Sequence, residues 1–477
     1  MLAKFLLFMP ESVYLAMGLV LFFVCLPRQA QPRNAFRWAV GFALLGIVAA
    51  LFGLFREGFL FFEAYQVDLF SQIFKLILAV TVLLVLFLCR ELPDLERHYR
   101  REFFLFLASC TLGLMLMVSA VELMTLYLAL ELSSFSLYIL VPLRKGDGID
   151  VEAGIKYLFI GVTASCVMLF GFSYIFGAAH TTDIRELMMR LPALLQQPAA
   201  VIGLLLFLAG FFFKLAVFPF HFWAPDVYEG AANQVVAYIA TASKAAAIAL
   251  LIRITALSHG QSPYLFKVLI ALCVASMFLG NLSAIAQKSL KRMLAYSAIA
   301  HAGYVLMGIL TMTAVGYSSA VFYTAAYMLM TFAVFMVIVL IAGDGHNPQI
   351  AELAGLHKRA PLLALTLMMA LFSLAGIPPT VGFVGKFLVF AAAMQQGYFW
   401  LVVVGMVNAT ISLYYYLMVI KAAYLLEPAV EQPMIRLSPA VRLLNYILIL
   451  AIIDLGVFPQ HILWLAESSV KNMLGGI

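Results

Sequence analysis

The chain has 477 residues, of which 65% are hydrophobic and only 11% charged, with a formal net charge of +6. Soluble domains average roughly 45 to 50% apolar residues, so the solvent of this chain is a bilayer and a water-soluble fold is excluded. The positive balance does not point to nucleic acid, because the basic residues fall mostly in short loops, where they set topology.

The chain opens with an apolar run to Leu26 that carries one lysine and no small-residue cleavage site, which reads as a retained helix rather than a signal peptide. Runs long enough to cross ~30 Å of hydrocarbon then predict about fourteen helices. The first three cover Met9 to Leu26, Ala35 to Phe55 and Val67 to Cys89. The next five cover Phe103 to Ala120, Glu122 to Val141, Ala153 to Ala178, Val201 to Trp223 and Ala231 to Ala256. Then come Tyr264 to Ala286, Leu290 to Thr311, Ser318 to Ile341, Leu362 to Ala393, Phe399 to Leu425 and Val441 to Leu465. The expected fold is an all-α polytopic membrane protein. The seventh span is interrupted by Pro219, and the twelfth, too long for one straight crossing, by Pro378 and Pro379.

Lys and Arg concentrate in the loops after odd-numbered helices, among them Arg28, Arg33, Arg37, Arg90, Arg97, Arg100 and Arg101. Those loops should face the cytoplasm, which puts both termini on the periplasmic side. The stretches Asp344 to Lys358 and Glu427 to Arg436, with their glycine or prolines, are the best linkers. Cys25, Cys89, Cys110, Cys166 and Cys273 show no CxxC or metal-ligand spacing, so no disulfide framework or iron-sulfur site is indicated.

An internal echo divides the chain. Leu215 to Pro219 (LAVFP) in the seventh helix is answered by Leu374 to Pro378 (LAGIP) in the twelfth, and Ser243-Lys244-Ala245 has a loose counterpart at Val407-Asn408-Ala409. Five helices separate each pair, so the second unit would enter the membrane from the opposite face, as in inverted-repeat transporters. The expected layout is a three-helix segment over 1–102, a first repeat over 103–256, a second over 257–426, and a linker with the last helix over 427–477.

Buried charge carries the chemistry. A charged side chain near the bilayer centre costs roughly 2.5 to 3.5 kcal/mol on insertion scales, so it needs a partner or water. Glu131, Lys214 and Lys244 fall near the middle of their spans, and Lys386 follows the break in the twelfth. Together they suit a proton relay, although a static Glu131–Lys214 ion pair would also account for that carboxylate and that lysine. Lys156 sits near a helix end, where a lysine can also snorkel, and Lys75 is deeper but has no motif around it. His221 and His301 could titrate near neutral pH or serve only as backbone caps and packing groups. Glu122 reads as a helix end, and the Tyr414-Tyr415-Tyr416 run and the methionines read as packing.

Four motifs then carry a resemblance. PFHFWAPDVYEG from Pro219, ATASKAA from Ala240, LKRMLAYSAIAHAGY from Leu290 and SLAGIPPTVGFVGKF from Ser373 resemble the antiporter-like membrane subunits of respiratory complex I, most closely the branch called subunit N. The segment Ala231-Ala232-Asn233-Gln234 departs from the family, which usually has a proline there. The resemblance implies fourteen helices, inverted five-helix repeats and a hydrated polar axis, with the family's charged positions falling on Glu131, Lys156, Lys214, Lys244 and Lys386. It implies proton translocation coupled to quinone reduction elsewhere. NADH, flavin, iron-sulfur clusters and quinone would be bound by partner subunits and not by this chain, in a bacterial inner membrane. A subunit of a multisubunit cation/proton antiporter is the first alternative, and a passive structural membrane subunit is the second.

Overall fold

The computed structural model describes residues 2–27, 32–145, 149–194, 196–257, 263–428 and 433–475. Arg28, used above for topology, and part of the Glu427 to Arg436 linker lie outside the described residues. The chain is mostly helical, and among the described residues twelve helices are long and apolar enough to cross a membrane. Fourteen spans would require Met9–Cys25 as a further span, and Pro361–Ala375 with Val381–Gln395 to be counted together as one.

The helices gather into two units. The first comprises Met1–Leu215, Gly230–Val268 and Ser468–Ile477; the second comprises Ala216–Glu229 and Leu269–Glu467. In the first, Leu69–Leu88 starts at a capping box in which Asp68 accepts from the Ser71 amide and Ser71 returns the bond. Arg253 then clasps both oxygens of Asp68, each at 2.9 Å, and so ties Lys244–Leu257 to that cap. Ile149–Ala179 packs closely on Pro198–Leu215 through small residues: a Cβ on Gly171 would lie 2.3 Å from the Phe207 amide nitrogen, and one on Gly203 2.7 Å from Tyr174 Cβ.

In the second unit, Pro361–Ala375 ends at Gly376, whose φ of 89° is a left-handed conformation suited to glycine. Val381–Gln395 restarts the path after Pro378 and Pro379, with the Gly382 amide bonded to Ser373 Oγ at 3.0 Å. Arg292, in the first turn of Leu290–Leu310, contacts Asp226 and Glu229 at 2.8 Å each.

Three local features depart from the sequence expectation. The chain is not wholly α: Gly58–Leu60 pairs antiparallel with Tyr65–Val67. The turn between them places Phe61, Phe62 and Glu63 at positive φ without the glycine or asparagine that usually announces such a turn. The last expected span, Val441 to Leu465, is two helices, Pro439–Val457 and Gln460–Gly475, because Pro459 has no amide hydrogen to continue the first. The polar stretch after the sixth span forms its own helix, Ile184–Leu194, with apolar residues on one face and Arg185, Glu186 and Arg190 on the chain.

Candidate functional site: three buried lysines beside irregular helix

Lys214 lies in the last turn of Pro198–Leu215 and is only 2% exposed. The helix stops one residue later, where Ala216 turns to a φ of 57° and Pro219 lacks the amide that would have bonded the Leu215 carbonyl. Its ammonium donates to Ser133 Oγ at 2.6 Å and Ser134 Oγ at 2.9 Å, both on Leu123–Leu140. Glu131, on the same helix and 8% exposed, accepts from Ser165 Oγ on Ile149–Ala179. Among the described residues Glu131 and Lys214 do not meet as an ion pair. Serine hydroxyls hold each of them instead. Both hydroxyls donate to the Leu130 carbonyl and accept from Lys214, and two such bonds can be supplied by an ammonium or by a neutral amine, so this shell fits both protonation states.

Lys244 is 3% exposed. It follows directly on five residues of π-helix, Ile239–Ser243, inserted between Asn233–Tyr238 and Lys244–Leu257. Such wide turns interrupt the regular hydrogen-bond ladder and recur at functional sites. No feature of ATASKAA announces one, since alanine, threonine and serine fit an ordinary helix equally well. Thr241 fills part of the local deficit by donating to the Ala237 carbonyl at 2.5 Å.

Lys386, 4% exposed, sits on Val381–Gln395 and reaches back across the break. Its ammonium donates to the carbonyls of Leu374 and Ala375, at 2.9 Å each. In a continuous helix those two oxygens would accept from residues 378 and 379. Both are prolines, so the lysine takes the place of two missing donors. Its Nζ also lies 4.9 Å over the Tyr304 ring.

Around Tyr304 the second unit holds a polar network. His301 Nδ1 is 2.6 Å from the Tyr323 hydroxyl and its Nε2 3.2 Å from that of Tyr416, which also bonds Ser297. Asn281 donates to Tyr304 at 3.2 Å and to Asn408 at 3.1 Å, and accepts from Tyr415 at 3.0 Å. Two of the three tyrosines read as packing are therefore hydrogen-bonded members of this network. Tyr323, Asn281 and Asn408 were not singled out as site residues, although the sequence comparison of the two halves set Asn408 loosely against Lys244. A buried asparagine in an apolar span was the usable signal.

The remaining candidates lie elsewhere. His221 is buried and stacked on Phe218 beside Pro219. Lys156 is 42% exposed and pairs with Glu152 one turn away at 2.6 Å, so it is not part of the buried set. Pro219 and Pro378 both stand at helix breaks. Among the described residues no group of three or more His, Cys, Asp or Glu could hold a metal ion.

Residues 120–412 match the family described as NADH:quinone oxidoreductase/Mrp antiporter, transmembrane. The chain is 53% identical to NADH-quinone oxidoreductase subunit N 2 of Syntrophobacter fumaroxidans over 467 residues, covering 98% of this chain and 99% of that one. It is 36% identical to subunit N of Moorella thermoacetica, with 94% of each covered. A chain of respiratory complex I from Thermus thermophilus superposes with a TM-score of 0.83 at 32% identity, over 96% of this chain and all of that one. A chain of the Mrp complex from Dietzia sp. DQ12-45-1b gives 0.88 at 20% identity, over 100% of this chain and 98% of that one, a likeness of fold alone. Family model, full-length relatives and solved structure agree, and the chain belongs to the antiporter-like membrane subunits of NADH-quinone oxidoreductase, in the subunit N family.

Proposed function

We propose that this chain is a proton-translocating subunit of the membrane arm of NADH:quinone oxidoreductase, moving protons through Glu131, Lys214, Lys244 and Lys386. The observation that carries the reading is the kind of partner the lysines have. Lys214 is held by two hydroxyls and Lys386 by two carbonyls, all neutral. The structural cations Arg253 and Arg292 are instead clasped by carboxylates. A carboxylate fixes a cation in its charged state, whereas neutral oxygens let an amine keep hydrogen bonds with or without the extra proton.

In this mechanism Glu131 and Lys214 bias the proton affinity of Lys244, which exchanges with Lys386 toward the outer side. Lys156 serves near the cytoplasmic end of its helix, and His301 with its tyrosines connects to the Lys386 end of the path; His221 lines the first helix break. The chain crosses a bacterial inner membrane fourteen times in two inverted repeats, with both termini periplasmic. It carries no redox centre: NADH, flavin, iron-sulfur clusters and quinone belong to the other subunits, and quinone reduction there drives the relay here.

The test uses the assembled complex. A tag on this chain should recover flavin- and iron-sulfur-containing partners with NADH:quinone activity. In membranes carrying Lys244→Ala, proton pumping should fall by at least about tenfold, a floor below the roughly hundredfold or more typical of one acid-base group. A variant complex that pumps and turns over as the parent does would refute the reading.

A further inference from the structure

The first unit holds another set of buried ionisable groups, outside the residues 120–412 that match the family model. Glu11, in the first turn of Met9–Cys25, and Lys75, on Leu69–Leu88, are both fully buried and pair at 2.7 Å. Tyr65, which opens the second hairpin strand, donates to the same Glu11 oxygen at 2.5 Å, and Lys75 Nζ lies 5.1 Å over its ring.

The second Glu11 oxygen meets no hydrogen-bond partner among the described residues, and neither do the Tyr14 hydroxyl and both amide atoms of Gln72. Tyr14 stands one turn from Glu11, and Gln72 one turn from Lys75, so these groups share the helix faces that carry the pair. Opposite them the Pro32–Gly53 helix presents glycines. A Cβ on Gly46 would lie 2.7 Å from the Tyr14 ring and one on Gly53 3.3 Å from the Gln72 amide. A pair that only locks helices uses its whole carboxylate, as Asp68 does with Arg253. Glu11 keeps one buried oxygen without a partner among the described residues, on the helix face that also carries Tyr14.

We propose that Glu11, Lys75 and Tyr65 form a second proton-exchange site, hydrated through Tyr14 and Gln72 and distinct from the relay over residues 131–386. Glu11 is the group that changes state. A proton delivered by water bonds to its free oxygen, forming one O–H bond while Lys75 stays an ammonium, and the site passes from zero net charge to +1. Release reverses the step. Arg253 also acts on Tyr65 but is clasped by Asp68, and Glu63 in the hairpin turn pairs with Arg185 at 3.3 Å. The hairpin that carries Tyr65 ends in the fully exposed Phe62, so the site lies close below the surface at that end of the unit. This inference rests on the proton-translocation reading, and its test separates the two.

The measurement is infrared difference spectroscopy of the assembled complex in membranes during NADH oxidation, with pumping measured alongside. A protonated-carboxyl band should appear in the parent complex and vanish in Glu11→Gln. Lys75→Arg keeps the pair, its packing and a permanent cation beside Glu11, so the band should persist there with a shifted frequency, whereas Glu11→Gln should lower the proton yield at least about twofold. A parent spectrum in which neither variant alters any carboxyl band, with unchanged pumping, makes the pair a static lock and overturns the proposal. If Lys244→Ala lowers pumping in the same membranes, only this inference has failed; if it does not, the translocation reading has failed as well.

Discussion

Lys386 is a structural cap, and the reading proposed above makes the same side chain a proton carrier. The prolines at 378 and 379 remove two donors, and the ammonium supplies two. Removing it therefore costs more than a charge. Lys386→Met should leave the Leu374 and Ala375 carbonyls unsatisfied, each worth about 1 to 3 kcal/mol when buried, and the complex should show a lowered thermal midpoint and poorer assembly. Lys386→Arg keeps donors and charge, but the guanidinium stays protonated at any working pH. That variant should assemble and yet pump about tenfold less, measured as protons moved per NADH oxidised. A purely capping lysine would give the opposite pattern, with the arginine variant pumping normally. The sequence made the lysine and both prolines legible as a pair of anomalies in one apolar span. That the one repairs the other was not legible, because it depends on the lysine reaching back across the break.

At the scale of elements, apolar length found nearly every membrane helix, since a run that must fill the hydrocarbon has little freedom to be anything else. The irregular pieces escaped for a common reason: they are set by backbone accounting and not by composition. The π-helical turn before Lys244 is built of ordinary helix formers, and the hairpin turn at Phe61 to Glu63 lacks glycine. The loop after Ala314–Ile341, expected to be a linker, is instead held at several points. Asn347 donates to the Glu229 carbonyl at 2.7 Å, the Leu290 amide to Pro348, and the Ile350 amide to Lys288. His346 bridges Asp344 and Glu352, the latter at 2.9 Å. Burial alone would push the His346 pKa down, but the two carboxylates outweigh it and hold it above its usual value of about 6.5. A raised folded pKa stabilises the loop fully below about pH 6.5, and this contribution is lost as pH rises through the folded value. Hydrogen exchange of the loop amides should therefore be slowest, after correction for intrinsic rates, in mildly acidic buffer and should lose protection toward alkaline pH. His346→Gln should flatten that dependence, and a protection profile with the same slope in the variant would exclude the bridge as its source.

For the whole molecule the question is whether the buried lysines act in series or as independent half-channels. Lys214 and Lys244 belong to the first unit and Lys386 to the second; Lys214 ends its helix, Lys244 follows a wide turn, and Lys386 reaches back to the break before its helix. Proton carriers in one path fail together: once a link is missing, a second loss costs nothing more, and the effects of the two single changes cannot add. Independent half-channels would each forfeit only their own share, so each single variant would keep the other channel's flux and the two losses would add. Lys214→Ala and Lys386→Arg should each lower pumping by at least about tenfold, a floor below the roughly hundredfold or more typical of one acid-base group, and the double variant should be no worse than the poorer single one. The comparison needs the three complexes at matched assembly, read as initial proton uptake per NADH oxidised in sealed vesicles. Single variants that each keep a large share of the parent's yield, with a double variant that loses both shares, would mean that each unit moves its own protons, and the single path would have to be abandoned.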